Sequence, residues 1–175
     1  MISTVLVEHP WMTTTALVAL VVFGPVAGAW LLPRPRVTRV LLGVCLVPVA
    51  LLALVPTSRE LAAGCAVEWS VPTLGAVELM ANVVLFVPLV LLAGVLTRRP
   101  AVALVAASGL AALIELVQAV VPALGRSCST DDWLSNTLGA ALGAVLAVAG
   151  LWLASRCGSA TAQDEGKAST RRPAP

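Results

Sequence analysis

The chain is short of charge and of aromatic rings. Only 11% of its 175 residues are charged, and it holds two Phe and no Tyr. Soluble domains carry roughly a quarter of charged residues, so that class is excluded. Two Phe and 12 Pro would also build a poor core in water. Histidine is almost absent: His9 stands alone before the first apolar run and reads as an interfacial residue rather than a ligand. Four Cys, at 45, 65, 128 and 157, show no C-x-x-C spacing, which leaves the usual zinc pattern out. Also missing are a Gly-rich phosphate loop, a G-x-S-x-G elbow and an H-E-x-x-H helix. Nothing in this inventory calls for a cofactor, a metal or a nucleic-acid partner.

What remains is apolar. Hydrophobic residues make up 59% of the chain, and the mean hydropathy is +0.96. Ala, Leu, Val and Gly dominate, the composition of packed membrane helices. A helix needs roughly 20 residues to cross a hydrocarbon core. Five runs reach or approach that length: 11–32, 40–56, 78–96, 101–121 and 133–154. The expected fold is therefore all-α, a polytopic transmembrane bundle of about five spans over residues 1–154. The second run is the shortest and has room to begin earlier, near Arg36. Pro25, Pro48 and Pro88 fall inside runs, where the carbonyls they free must find partners in neighbouring helices or water. Trp11 and Trp30 bracket the first run, and Trp133 and Trp152 the last; indole rings favour the membrane boundary. Gly139 and Gly143 form a G-x-x-x-G pair that permits close backbone approach. Cys45, mid-span, reads as a small packing residue.

Charge sets an orientation. Arg34, Arg36, Arg39, Arg98, Arg99, Arg156, Lys167, Arg171 and Arg172 fall on one side of such a bundle, and only Arg59 and Arg126 on the other. That other side also holds Glu8, Glu60, Glu68, Asp131 and Asp132. The positive-inside rule places the N-terminus outside and the C-terminus in the cytoplasm of a bacterial plasma membrane. Ala27-Gly28-Ala29 resembles a signal-peptidase site, but residues 1–10 lack Lys and Arg and the apolar stretch is long for a signal. The first run is expected to stay. Residues 155–175 are polar and rich in Gly, Ser, Ala and Pro, a composition expected to form a disordered cytoplasmic tail. Cys65 and Cys128 both fall in loops assigned to the oxidising side, so a disulfide between them is expected, the alternative being two separate thiols.

The few polar residues converge. Glu115 and Gln118 lie near the end of the fourth run, with Glu115 roughly 9 Å from its end at 1.5 Å per residue. Glu78 and Asn82 open the third run, and Asp131, Asp132 and Asn136 open the fifth. Spacings of three or four residues put each set on one helical face. Asn82, Glu115, Gln118 and Asn136 are expected to form one network, with Glu78, Arg126, Asp131 and Asp132 at its mouth. A charge at the centre of a membrane helix costs roughly 2.5–3.5 kcal/mol on insertion scales, which favours a binding site. The competing account is polar glue between helices.

Two stretches carry a resemblance: ELMANVVLFVPL at 78–89 and IELVQAVVPALGRSCSTDDWLSNTLGAALG at 114–143. Together they resemble the VanZ-like family of small bacterial membrane proteins. The family pattern falls on Glu78, Asn82, Phe86, Pro88, Glu115, Gln118, Arg126, Asp132, Asn136, Gly139 and Gly143, and the likeness covers about residues 40–150. Val90 departs from it, standing close to where a Gly often follows the family's Pro. The resemblance implies a multi-span helical fold and a link to the cell envelope or to glycopeptide (teicoplanin) resistance, and supplies no reaction.

Three function classes follow. The first binds a lipid or lipid-linked cell-wall precursor at a polar site in the outer leaflet, with membrane lipids as partners. The second is an enzyme on a lipid-linked substrate, Glu115 being the candidate general base and Arg126 holding a phosphate. Against it stands the missing nucleophile–base pair. The third is a small transporter, which polar groups confined to one leaflet and the lack of an inverted repeat oppose.

Overall fold

The computed structural model describes residues 9, 11–56, 65–70, 72–73, 75–126 and 128–170. Glu8, Arg59, Glu60, Arg171 and Arg172, which entered the charge count, lie outside the described residues. Five helices carry the fold: α1 (Trp11–Leu31), α2 (Pro35–Leu54), α3 (Val77–Thr97), α4 (Pro100–Val120) and α5 (Thr130–Thr170). Each is long and apolar enough to cross a membrane. The chain is an all-α bundle with the composition of a multi-pass membrane protein.

Helix boundaries follow local chemistry. α2 begins at Pro35 rather than at Val40, because Pro is pre-set for the first helical turn. Arg36 and Arg39 therefore lie in the opening turns of α2 rather than in a loop. Thr38 ties the α1–α2 turn by donating to the Leu31 and Arg34 carbonyls at 3.2 and 3.1 Å. Between α3 and α4 the chain turns through Arg98, at φ 56°, and Pro100 restarts the helix. α5 runs on as helix through Thr170, within the stretch expected to be disordered. Ala, Gln, Glu and Lys in that stretch all have good helix propensity.

α3 is the axis of the bundle and packs against the other four helices. Of its spanning segment 56% is buried, against 17% for α1 and for α2. Phe86, Val87, Val90 and Val95 on α3 are fully enclosed. α5 lies along α3 at backbone distance. A Cβ built on Gly139 would run into the Val83 carbonyl, and one on Gly143 would stand 2.5 Å from the Val87 oxygen and 3.0 Å from Val90 Cβ. Val90 is thus matched by a glycine on the facing helix. Gly150 gives the same room to α1, since a Cβ built there would stand 3.0 Å from the Pro25 oxygen. Cys45 packs at the edge of the central apolar cluster.

The outward faces are apolar too. Val18, Val22 and Phe23 of α1, Val40 and Val44 of α2, Val105 and Leu116 of α4, and Val145 of α5 are all exposed. So many bare aliphatic side chains suit a hydrocarbon solvent, in which they need no cover. Trp11 and Trp30 are exposed at the two ends of α1, and Trp152 is exposed along α5; Arg34 and Arg156 stack on Trp30 and Trp152. Trp133 differs. It is partly buried, its indole N–H donates to the Ser108 carbonyl at 3.3 Å, and its ring meets Trp69 edge-on.

A short clasp closes one end of the bundle. Two-residue strands β1 (Cys65–Ala66) and β2 (Cys128–Ser129) pair in parallel, Cys65 opposite Cys128. A disulfide joins these two cysteines, with Cα atoms 4.5 Å apart across 63 positions of sequence. Thr130 accepts from the Glu68 N–H at 2.9 Å and donates to the Glu68 carbonyl. The Ser70 N–H donates to Asp131 Oδ1 at 2.6 Å. Cys45 and Cys157 remain thiols.

Candidate functional site

Beneath the clasp, α2, α3, α4 and α5 enclose a cavity of about 260 Å³. α3 supplies Glu78 and Asn82 one turn apart, α4 supplies Glu115 and Gln118, and α5 supplies Asp132 and Asn136. Arg126 reaches the same space from the loop before β2. These seven residues face one another across the cavity, over an apolar floor that includes Val49, Leu85, Phe86 and Ile114. Seven of the eight polar residues expected to converge thus share one space.

The eighth does not. Asp131 is buried but is not part of the cavity wall. Its carboxylate holds Ser70, and its own N–H donates to Ser129 Oγ at 3.1 Å. Ser129 so acts as the N-cap of α5. Neighbouring positions on a helix point about 100° apart, so Asp131 and Asp132 cannot both face the cavity. Asp131 serves the clasp.

Each remaining polar group is positioned by a different element. Asn82 Nδ2 donates to Asp132 Oδ1 at 2.7 Å, bridging α3 and α5. The Ser129 N–H donates to Glu115 Oε2 at 2.9 Å, tying α4 to the disulfide strand. Gln118 Nε2 donates to the Ala53 carbonyl at 3.4 Å, and Arg126 Nε to the Val55 carbonyl at 3.1 Å. These two acceptors belong to the end of α2, whose last carbonyls have no partner within the helix. The part played by α2 was not foreseen from the sequence. Pro56, which stops the helix and strands those carbonyls, was the available signal.

Burial grades from mouth to floor. Glu78 is exposed, Asp132 half-buried, and Glu115 and Asn136 are 7% and 6% exposed. Asn136 Oδ1 is buried without a hydrogen-bond partner. Among the described residues, Arg126 forms no ion pair with Glu78, Glu115 or Asp132, although all four line the same space. A second cavity of about 180 Å³ reaches Glu115 from the disulfide side, between Cys65, Ser129 and Trp133. Nor, among the described residues, does any group of three His, Cys, Asp or Glu come together in an arrangement able to hold a metal ion. The arrangement can therefore bind a polyatomic group, with a guanidinium for an anion and carboxylates and amides for hydrogen-bond donors.

No curated protein and no solved structure matches the chain. A family model does. It spans residues 11–153, from the first helix far into the fifth and beyond the 40–150 of the motif likeness, and it takes in every cavity residue: the chain belongs to the VanZ/LLP1 family.

Proposed function

We propose that this VanZ-like membrane protein belongs to the bacterial cell envelope and binds a lipid or lipid-linked cell-wall precursor in its polar cavity. One observation carries the reading: a guanidinium, three carboxylates and three amides line a single cavity near one end of an otherwise apolar bundle. The apolar floor suits acyl or polyprenyl carbons, and Arg126 suits the phosphate that joins them to a headgroup. Two things support placing this end outside the cytoplasm, facing the outer leaflet. The disulfide between Cys65 and Cys128 belongs to an oxidising compartment, and the basic residues concentrate at the opposite end. A part in glycopeptide (teicoplanin) resistance follows if the ligand is a cell-wall precursor.

Native mass spectrometry of the full chain, released from its membrane in mild detergent, tests this. The expected result is a bound phospholipid or polyprenyl-linked precursor that Arg126→Ala loses. A wild-type protein that keeps no lipid, or a variant that keeps it equally, would overturn the reading.

A further inference from the structure

Among the described residues the cavity has more acid than base. There Glu78, Glu115 and Asp132 face one guanidinium, and Arg126 does not pair with any of them. In a low-dielectric setting unpaired carboxylates are costly, and a cation brought among them offsets that cost. A metal ion does not fit, because among the described residues the acidic groups are not gathered closely enough to hold one. They surround a space of about 260 Å³ instead, which suits a small organic cation.

A second observation points the same way. Asn136 lines the cavity, is 6% exposed, and leaves its Oδ1 without a partner. A buried acceptor left unmade is costly, so a ligand that brings an N–H is favoured over one that brings only acceptors. A bare phosphate, or a phosphate esterified to a neutral acceptor-rich group, satisfies Arg126 and leaves the other side of the cavity unmatched. Only a ligand with opposite charges at its two ends satisfies both.

Resting on the lipid-binding reading above, we infer that the headgroup recognised here is a phosphate linked to a primary ammonium. Arg126 takes the phosphate, and the ammonium lies on the acidic side of the cavity, donating to Asn136 Oδ1 while Glu78, Glu115 and Asp132 balance its charge from around the space. Two sources supply that chemistry: an ethanolamine phospholipid, and a polyprenyl-linked wall precursor with a free amine.

The test is headgroup selectivity. The full chain is reconstituted in nanodiscs holding phosphatidylethanolamine mixed with phosphatidylglycerol or with phosphatidylcholine, and the retained lipid is counted by native mass spectrometry. The expected result is enrichment of phosphatidylethanolamine about fivefold over both competitors, equivalent to about 1 kcal/mol. Glu78→Gln, at the exposed mouth where folding is not at stake, should bring that ratio towards one, and Arg126→Ala should weaken all three lipids together. An amine-bearing precursor that displaces phosphatidylethanolamine at lower concentration would name the wall precursor as source; the reverse order would name the bulk lipid. Equal or stronger retention of phosphatidylglycerol would overturn the ammonium and leave lipid binding standing. Equal retention of phosphatidylcholine, which has charge but no N–H, would overturn the requirement for a donor and with it the inference. Retention of no lipid at all would remove both readings.

Discussion

The Ser129 backbone N–H holds the Glu115 carboxylate at 2.9 Å, and Ser129 is the residue next to the disulfide at Cys128. The most buried carboxylate of the cavity is thereby anchored to a covalent staple. Removing the staple acts on two levels, the unfolded chain and the local geometry of Glu115. A disulfide contributes about 2–4 kcal/mol. Reduction, or Cys65→Ser with Cys128→Ser, is expected to lower the thermal midpoint in detergent and to weaken ligand retention together. The check is a melt with and without reductant. The double variant should not respond to reductant, and a wild-type melt equally indifferent to it would count against the clasp as a stabilising element.

Asn82 and Asp132 form the bond that fixes α3 to α5 across the cavity. A hydrogen bond to a charged group contributes about 1.5–3 kcal/mol in soluble proteins, but pairs between membrane helices average about 0.6 kcal/mol. The lower figure governs here, because a freed polar group in a membrane finds other partners. Asn82→Ala and Asp132→Ala should therefore be non-additive by about 0.5–1 kcal/mol in a double-mutant cycle read by unfolding. Strict additivity would mean that the two side chains do not interact.

The α3–α5 seam makes a prediction about shape rather than charge. Gly139 has no room for a methyl group, because the Val83 backbone occupies it, whereas nothing lies within 4 Å of the position where Gly109 would carry one. Forcing atoms into a packed seam costs about 1–3 kcal/mol. Gly139→Ala is expected to lower the amount of protein in the membrane. Gly109→Ala should leave it unchanged or raise it, since alanine is the better helix former. Equal levels for the two variants would contradict the close approach of α3 and α5.

The spans were legible because length and hydropathy are local properties of the chain. Convergence of Glu78, Asn82, Glu115, Gln118, Asp132 and Asn136 was legible from helical spacing combined with the up-and-down order of the helices. Asp131 was not separable from Asp132 in this way. Which of two adjacent acids faces the cavity depends on the rotation of α5, and that rotation is set by Gly139 and Gly143 against α3. Nor could the sequence show what the carbonyls of Ala53 and Val55 would hold: Pro56 marks where α2 must end, but a backbone acceptor carries no signature of its partner. Trp133 was read as a boundary ring for the same reason. Its inward face depends on Ser108 and Trp69, which are distant in sequence.

The cavity also separates a binding role from mere glue at Glu115. Glu115→Gln keeps the shape of the side chain and an oxygen able to accept from Ser129, so the link between α4 and β2 should survive. What it removes is the charge of a side chain that is itself buried. With ligand binding as the role, Glu115→Gln should accumulate in the membrane like the wild type while retaining ligand about tenfold less, a difference of about 1.4 kcal/mol. Glu115→Ala should lose both, because the Ser129 N–H is then left without its acceptor. With helix bonding as the only role, Glu115→Gln should be silent in both measurements and Glu115→Ala should lower abundance alone. Membrane abundance by immunoblot and ligand retention by native mass spectrometry, taken on the same preparations, decide between them. Charge matters to a ligand and shape matters to a bundle, and this pair of substitutions changes the two independently.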